Sequence, residues 1–137
     1  MVLDEATSRP LWRAVGDAGL LRAVATDAVW RVSVQPTAGP AVAAALRQAF
    51  GARLLLDWGG GLVWAAGPAT PKAHAAVMAA AAASHGGFTL FRAPEPLRAA
   101  VAVLPEEPAP LAAIGRRVKA ALDPQGVLNP GRMRAGL

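Results

Sequence analysis

Arg53-Leu54-Leu55-Leu56-Asp57-Trp58-Gly59-Gly60-Gly61-Leu62-Val63-Trp64-Ala65-Ala66, residues 53–66, is the stretch on which the fold turns. Two apolar runs, 53–58 and 62–66, are separated by three consecutive glycines. Glycine adopts the positive φ angles that a tight reversal needs, so the stretch reads as a β-hairpin. A phosphate-cradling glycine loop would lead into a helix, whereas these glycines lead into a second strand.

Working outward, residues 29–34 alternate, with Trp30, Val32 and Val34 on one side and Val29, Arg31 and Ser33 on the other, the pattern of a strand. Residues 35–39 make a turn. Pro40 then suits the first turn of a helix that aligns Val42, Leu46 and Phe50 and ends at Gly51. Beyond the hairpin, Thr70 and Pro71 cap and open a helix to about Ser84, stopped by Gly86 and Gly87. Its alanines favour helix and allow close approach to a sheet. Phe88–Arg92 is a fourth strand. Strand, helix, strand, strand, helix, strand predicts an α+β fold: a ferredoxin-like βαββαβ antiparallel sheet with its helices on one face.

Outside this frame the spacing predicts a short N-terminal helix within residues 8–24, interrupted by Gly16 and Gly19. A proline-rich connector (Pro94, Pro96, Pro105, Pro108, Pro110) follows the last strand. It leads to a helix over 110–122 whose stripe is Leu111, Ile114, Val118 and Leu122. The expected organisation is residues 1–28 as helix and linker, 29–110 as the ferredoxin-like domain, and 111–137 as C-terminal helix and arm.

A length of 137 residues is that of one domain. Hydrophobic residues make up 54%, but 34 of them are alanine, so the core is expected to be thin and closely packed. Charged residues at 17%, with 14 glycines and 12 prolines, suit a compact domain with many turns. The absence of cysteine excludes a disulfide, a thiolate nucleophile and a cysteine metal site, and fits a cytoplasmic protein. The first residues lack the apolar region of a secretory signal. The run 75–83 falls far short of the ~20 residues of a membrane span, so no transmembrane segment is expected.

The net charge of +5 is concentrated late, where Arg116, Arg117, Lys119, Arg132 and Arg134 oppose only Asp123. Such a segment suits nucleic acid, an anionic membrane surface or an acidic protein face, or is a solvated helix face. RNA-recognition domains share the predicted topology, but residues 62–66 lack their aromatic and basic signature, and no nucleic-acid partner is expected. His74 and His85 lie eleven residues apart with no carboxylate at ligand spacing, which argues against a metal site. No G-x-S-x-G elbow is present, and no catalytic residue is assigned.

Strand parity groups Trp30, Trp58 and Trp64 with Val32, Val34, Leu54, Leu56 and Leu62 as core under the helices. The opposite face then carries Arg31, Ser33 and Asp57 with Val29, Leu55 and Val63 between them. That mixed face is a wall of a ligand cleft, a docking surface or plain solvent-exposed sheet. In the tail, Asp123-Pro124 ends the helix, Gln125-Gly126 turns the chain, and Asn129 before Pro130 is expected to be extended. Pro130-Gly131 makes a second turn. The apolar pair Val127 and Leu128 implies that this tail docks on something.

A helix followed by D-P-x-G-[VIL]-[LF]-N-P-G-[RK], here Asp123 to Arg132, resembles the C-terminus of FAD-linked oxidases of the vanillyl-alcohol-oxidase type. Trp30 to Thr37, Asp57 to Trp64 and Thr89 to Ala93 are similar to segments of the FAD-binding E-type subunits of bacterial glycolate oxidase, in the same order. The early Leu3 to Ala6 is similar to the point where such subunits leave their flavin domain. The resemblance implies a cap, or substrate, domain closing over a flavin that is bound mainly by an N-terminal FAD domain this sequence lacks. The isolated chain is then expected to be inactive.

The implied chemistry is oxidation of glycolate or a related 2-hydroxy acid to the 2-oxo acid. The implied partners are the FAD domain, a second flavin subunit and an iron-sulfur subunit, through which the protein would lie at the inner face of the membrane. Asn129, Gly131 and Arg132 match the segment expected near the cofactor. To these the strand pattern adds Arg31, as the group that pairs a substrate carboxylate. Related catalytic subunits carry a histidine-rich metal motif in the cap. His85-Gly86-Gly87 is at most its remnant, which points to electron transfer or assembly as alternatives to direct oxidation. The rival reading is a freestanding ferredoxin-like domain that dimerises through its sheet or binds a small ligand.

Overall fold

The hairpin forms as the glycines require, with a twist that the sequence pattern did not carry. In the computed structural model, which describes residues 2–131, β2 (Arg53–Asp57) and β3 (Leu62–Pro68) pair antiparallel around a turn at Trp58–Gly61. Trp58, Gly59 and Gly60 all take positive φ. Gly60 is required twice over, because its φ is 99° and a Cβ would lie 2.6 Å from the Pro36 carbonyl oxygen. Gly39 faces the same contact from the other side, where a Cβ would collide with the carbonyl of Gly60. The loop after the first strand is thereby locked against the hairpin turn.

That first strand, β1 (Asp27–Ser33), lies at the centre of the sheet, between β3 and β4 (Gly87–Arg92), antiparallel to both. The order β2-β3-β1-β4 is the ferredoxin-like arrangement expected from the sequence. Both crossovers are helices, α2 (Gly39–Phe50) and α3 (Pro71–Ala83). Thr70 caps α3 by accepting from the Ala73 N–H at 3.2 Å. Small residues bring both helices close: Ala43, Ala73 and Ala81 are buried, and Phe50 lies over Gly67, where a Cβ would stand 2.7 Å from the ring.

The core between helices and sheet contains Trp30, Val32, Leu46, Val63, Val77 and Leu90, all fully buried. Trp30 is the largest of them, tilted against Phe50 at 5.6 Å. Its indole N–H donates to Nδ1 of His74 on α3 at 3.1 Å. His74 is buried, its ring edge-to-face with Phe88 at 5.3 Å, and its Nε2 has no partner among the described residues. A histidine that reads as an isolated polar residue in the sequence is thus a structural partner of the core tryptophan.

Further elements add to the expectation. The first helix, α1 (Glu5–Gly16), starts earlier than its apolar spacing suggests, because Asp4 accepts from the Thr7 N–H at 2.8 Å and caps it. A single tight turn at Gly19–Leu21 follows, and drops Leu21 onto the sheet. Inside the proline-rich connector lies a short helix, α4 (Glu95–Ala100), opened by Pro96 near its start. The end of α3 is formed by His85, whose φ is 50°, with N–H groups of His85 and Gly86 closing on the carbonyls of Ala82 and Ala81. Gly86 is needed because a Cβ there would strike the carbonyl of Ser33.

The last helix, α5 (Ala109–Leu122), has no buried residue, and Leu111, Ile114, Val118 and Leu122 are all more than half exposed. Among the described residues, no helix is long and apolar enough to cross a membrane.

Candidate functional site

The face of the sheet away from α2 and α3 is where Arg31 lies, and its composition corrects the parity reading. Four residues separate Asp57 from Leu62, so an even-numbered residue on β2 faces an odd-numbered one on β3: Leu54 pairs with Ala65, and Leu55 with Trp64. Trp64 and Leu62 therefore belong to the face of Arg31, and Val63, expected there, is fully buried in the core. Trp58 is not in the core either; it sits in the turn and is 66% exposed. The expectation failed because alternation carries no phase through a loop of unknown length.

Arg31 pairs across the sheet with Trp64 on one side and Thr89 on the other. Its guanidinium carbon stands 5.0 Å from the centre of the Trp64 ring, a cation–π distance. Phe91 meets the same ring edge-to-face at 5.2 Å. Phe91 lies two residues beyond Thr89 on this face, at the point where the β1–β4 register shifts between Val29 and Trp30 and leaves it outside the pairing. Nε of Arg31 is buried and, among the described residues, has no hydrogen-bond partner. The ion pairs seen among the described residues, Arg9–Glu5, Arg53–Asp27 and Lys119–Asp123, do not include Arg31.

Leu21 and Ala23 cover the other end of this face, against Val29, Ala66, Leu55 and Trp64. Two backbone-directed contacts tie that strap down: Asp27 accepts from the Val24 N–H at 2.7 Å, and Arg92 donates to the Val24 carbonyl at 3.0 Å. Between strap and sheet is a cavity of about 160 Å³ whose lining includes Arg22, Val29, Trp64, Phe91 and Arg92. Arg31 thus stands beside an aromatic pair, a cation supported by an aromatic ring.

The tail forms a compact knot around a different residue from those predicted. Asp123 accepts from the N–H groups of Val127 (3.0 Å) and Leu128 (2.9 Å) and from Lys119 Nζ. Lys119 also donates to the Leu128 carbonyl at 2.7 Å. The Lys119 hydrogen bond and the Leu128 N–H hold the Asp123 carboxyl below the usual carboxylate range. Val127 and Leu128 remain exposed on the outside of this knot. Asn129 is not extended but has φ 47°, a left-handed conformation that asparagine tolerates better than most residues.

Pro130 and Gly131 line a cleft of about 360 Å³ with Glu95, Arg98 and Ala99 of α4 and with Val103. Arg31 is not among the residues lining it, so the predicted substrate and cofactor residues do not share that cleft. Arg132 lies outside the described residues. A cavity of about 700 Å³ runs along α1 and Gly19 and is lined by none of the predicted site residues. No group of three or more metal-ligating side chains occurs among the described residues, and His74 and His85 stand apart in the core and at the end of α3. No family model, curated protein or solved structure matches the chain.

Proposed function

We propose that this chain acts as the cap, or substrate, domain of an FAD-dependent 2-hydroxy-acid oxidoreductase like glycolate oxidase, with Arg31 receiving the substrate carboxylate. The observation that carries the reading is the state of Arg31: its Nε is desolvated, its guanidinium lies on Trp64, and no carboxylate pairs with it among the described residues. A partly buried cation without an acceptor is costly, and a bidentate carboxylate relieves that cost. Ser33 and Thr89 share its face and add hydroxyls beside it. The exposed stripe of α5 and the exposed Val127 and Leu128 suit a domain that rests on another protein surface, such as a flavin domain.

The residues present do not make an FAD site by themselves. Gly60 and Gly61 are closed against Pro36 and Gly39, and the cleft at Gly131 is lined by both Glu95 and Arg98, whose opposite charges leave no net cation to hold a pyrophosphate. In this reading FAD is held by a separate domain, with Asn129 and Gly131 at its margin. Electrons pass on through a second flavin subunit and an iron-sulfur subunit, which would bring the assembly to the inner face of the membrane. The cap's own part is to bind the substrate's carboxylate and exclude water.

The test uses the chain joined to its FAD domain. Arg31→Met raises the KM for glycolate at least tenfold, since a hydrogen bond to a charged group is worth about 1.5–3 kcal/mol, with flavin content unchanged. An unchanged KM would remove Arg31 from the site. A flavinylated protein that reduces no acceptor with any 2-hydroxy acid would refute the reading itself.

A further inference from the structure

The two edges of the sheet are treated differently. At β4 the Leu90 N–H donates to the Val103 carbonyl at 2.8 Å, and Val101 and Val103 pack on the core, so the connector closes that edge. At β2, among the described residues, no backbone group is seen to pair on the side away from β3. That edge reads Arg53-Leu54-Leu55-Leu56-Asp57, with Leu56 42% exposed and both charged ends exposed. It has no proline, bulge or central charge, the devices by which edge strands resist pairing.

We propose that β2 is a dimerisation edge, where a second copy of this chain adds its own β2 antiparallel about Leu55. The strand is self-complementary in that arrangement: Arg53 stands opposite Asp57 of the copy, Leu54 opposite Leu56, and Leu55 opposite Leu55 on the two-fold axis. A parallel pairing in the same register would instead set Arg53 against Arg53 and Asp57 against Asp57. Arg53 also holds Asp27, but a guanidinium has five N–H donors and its side chain is 44% exposed, so it can serve both carboxylates. The Asp57 carboxylate accepts from the Trp58 N–H at 2.7 Å and keeps further acceptor sites. The product is one continuous eight-stranded sheet with α2 and α3 of both copies on the same face. It does not depend on the cap-domain reading, because Arg31 lies on a more central strand than the edge.

The test is sedimentation velocity of the full chain over a concentration series, with circular dichroism to verify folding. The expected result is a concentration-dependent species of twice the chain mass. Asp57→Arg, which sets two like-charged pairs across the axis, weakens dimerisation at least tenfold, and adding Arg53→Asp restores it. If the double variant does not fold, Leu55→Cys decides the matter: in a chain without native cysteine it yields a disulfide-linked dimer on mild oxidation, and Arg116→Cys on α5 does not. A monomer at every concentration, a dimer indifferent to Asp57→Arg, a folded double variant that stays monomeric, or equal cross-linking through residue 116 would each overturn the proposal.

Discussion

Trp30→Phe is the perturbation that examines the core most directly. Trp30 is fully buried and its N–H is the one donor seen on His74 Nδ1, so phenylalanine leaves that nitrogen buried and unpaired. An unsatisfied buried polar group costs about 1–3 kcal/mol, to which the smaller ring adds a packing loss of similar size. His74→Leu in the wild-type background strands the indole N–H instead. Making both changes removes donor and acceptor together, so the double variant should be less destabilised than the sum of the singles by at least about 1 kcal/mol.

The same pair predicts a pH effect with a definite sign. Burial holds the His74 pKa below the usual histidine range, because charging the ring in the core is unfavourable. The Trp30 N–H reinforces this, since a protonated Nδ1 cannot accept it. The unfolded chain then binds a proton that the folded chain refuses. Stability is fully present above the ordinary histidine pKa of about 6.5, and falls with pH below it by at most about 1.4 kcal/mol per pH unit, until the folded pKa is passed. Urea unfolding at pH 7.5 and 5.0, followed by circular dichroism, gives the measurement. The wild-type chain should lose stability that His74→Leu retains. Equal pH dependence in the two proteins, or a coupling below about 0.5 kcal/mol, would refute the reasoning.

Gly39→Ala should cost about 1–3 kcal/mol in a thermal melt although helix propensity favours alanine, because the new methyl meets the Gly60 carbonyl. Gly51→Ala, in open space but at φ 68°, should cost only the price of a left-handed alanine, about 1–2 kcal/mol. His85→Gly should raise stability by about 1 kcal/mol by removing a left-handed side chain at the end of α3. Asp123→Ala, which removes both acceptor oxygens, should abolish amide-exchange protection at Val127 and Leu128. In the unaltered chain that protection is present above the ordinary aspartate pKa and persists below it, being lost only as pH falls through the lowered folded value.

Local patterns made most of the architecture legible. Alternation in residues 29–34, the glycine triplet, and the helices opened by Pro40 and Pro71 each report a backbone preference that acts within a few residues. Their order alone gives the ferredoxin-like sheet that forms. The helix in residues 95–100 was obscured because proline signals both a connector and a helix start. In the candidate site, Arg31 was legible as a charge on the non-core face of a strand, but its partners were not. Trp64 lay one residue out of phase across the hairpin, and no local pattern tied Phe91 on β4 to Trp64 on β3.

What the sequence determined by itself was the order and type of the main elements, since propensity, capping and turn chemistry are properties of neighbouring residues. What only the tertiary structure decided was which side chains meet. His74 finds Trp30 from 44 positions away, Arg31 finds Trp64, Val103 closes one sheet edge, and β2 is left open. The physical reason is that register between distant strands and the seating of helices are set by packing across the whole domain, and no local pattern of residues carries that phase.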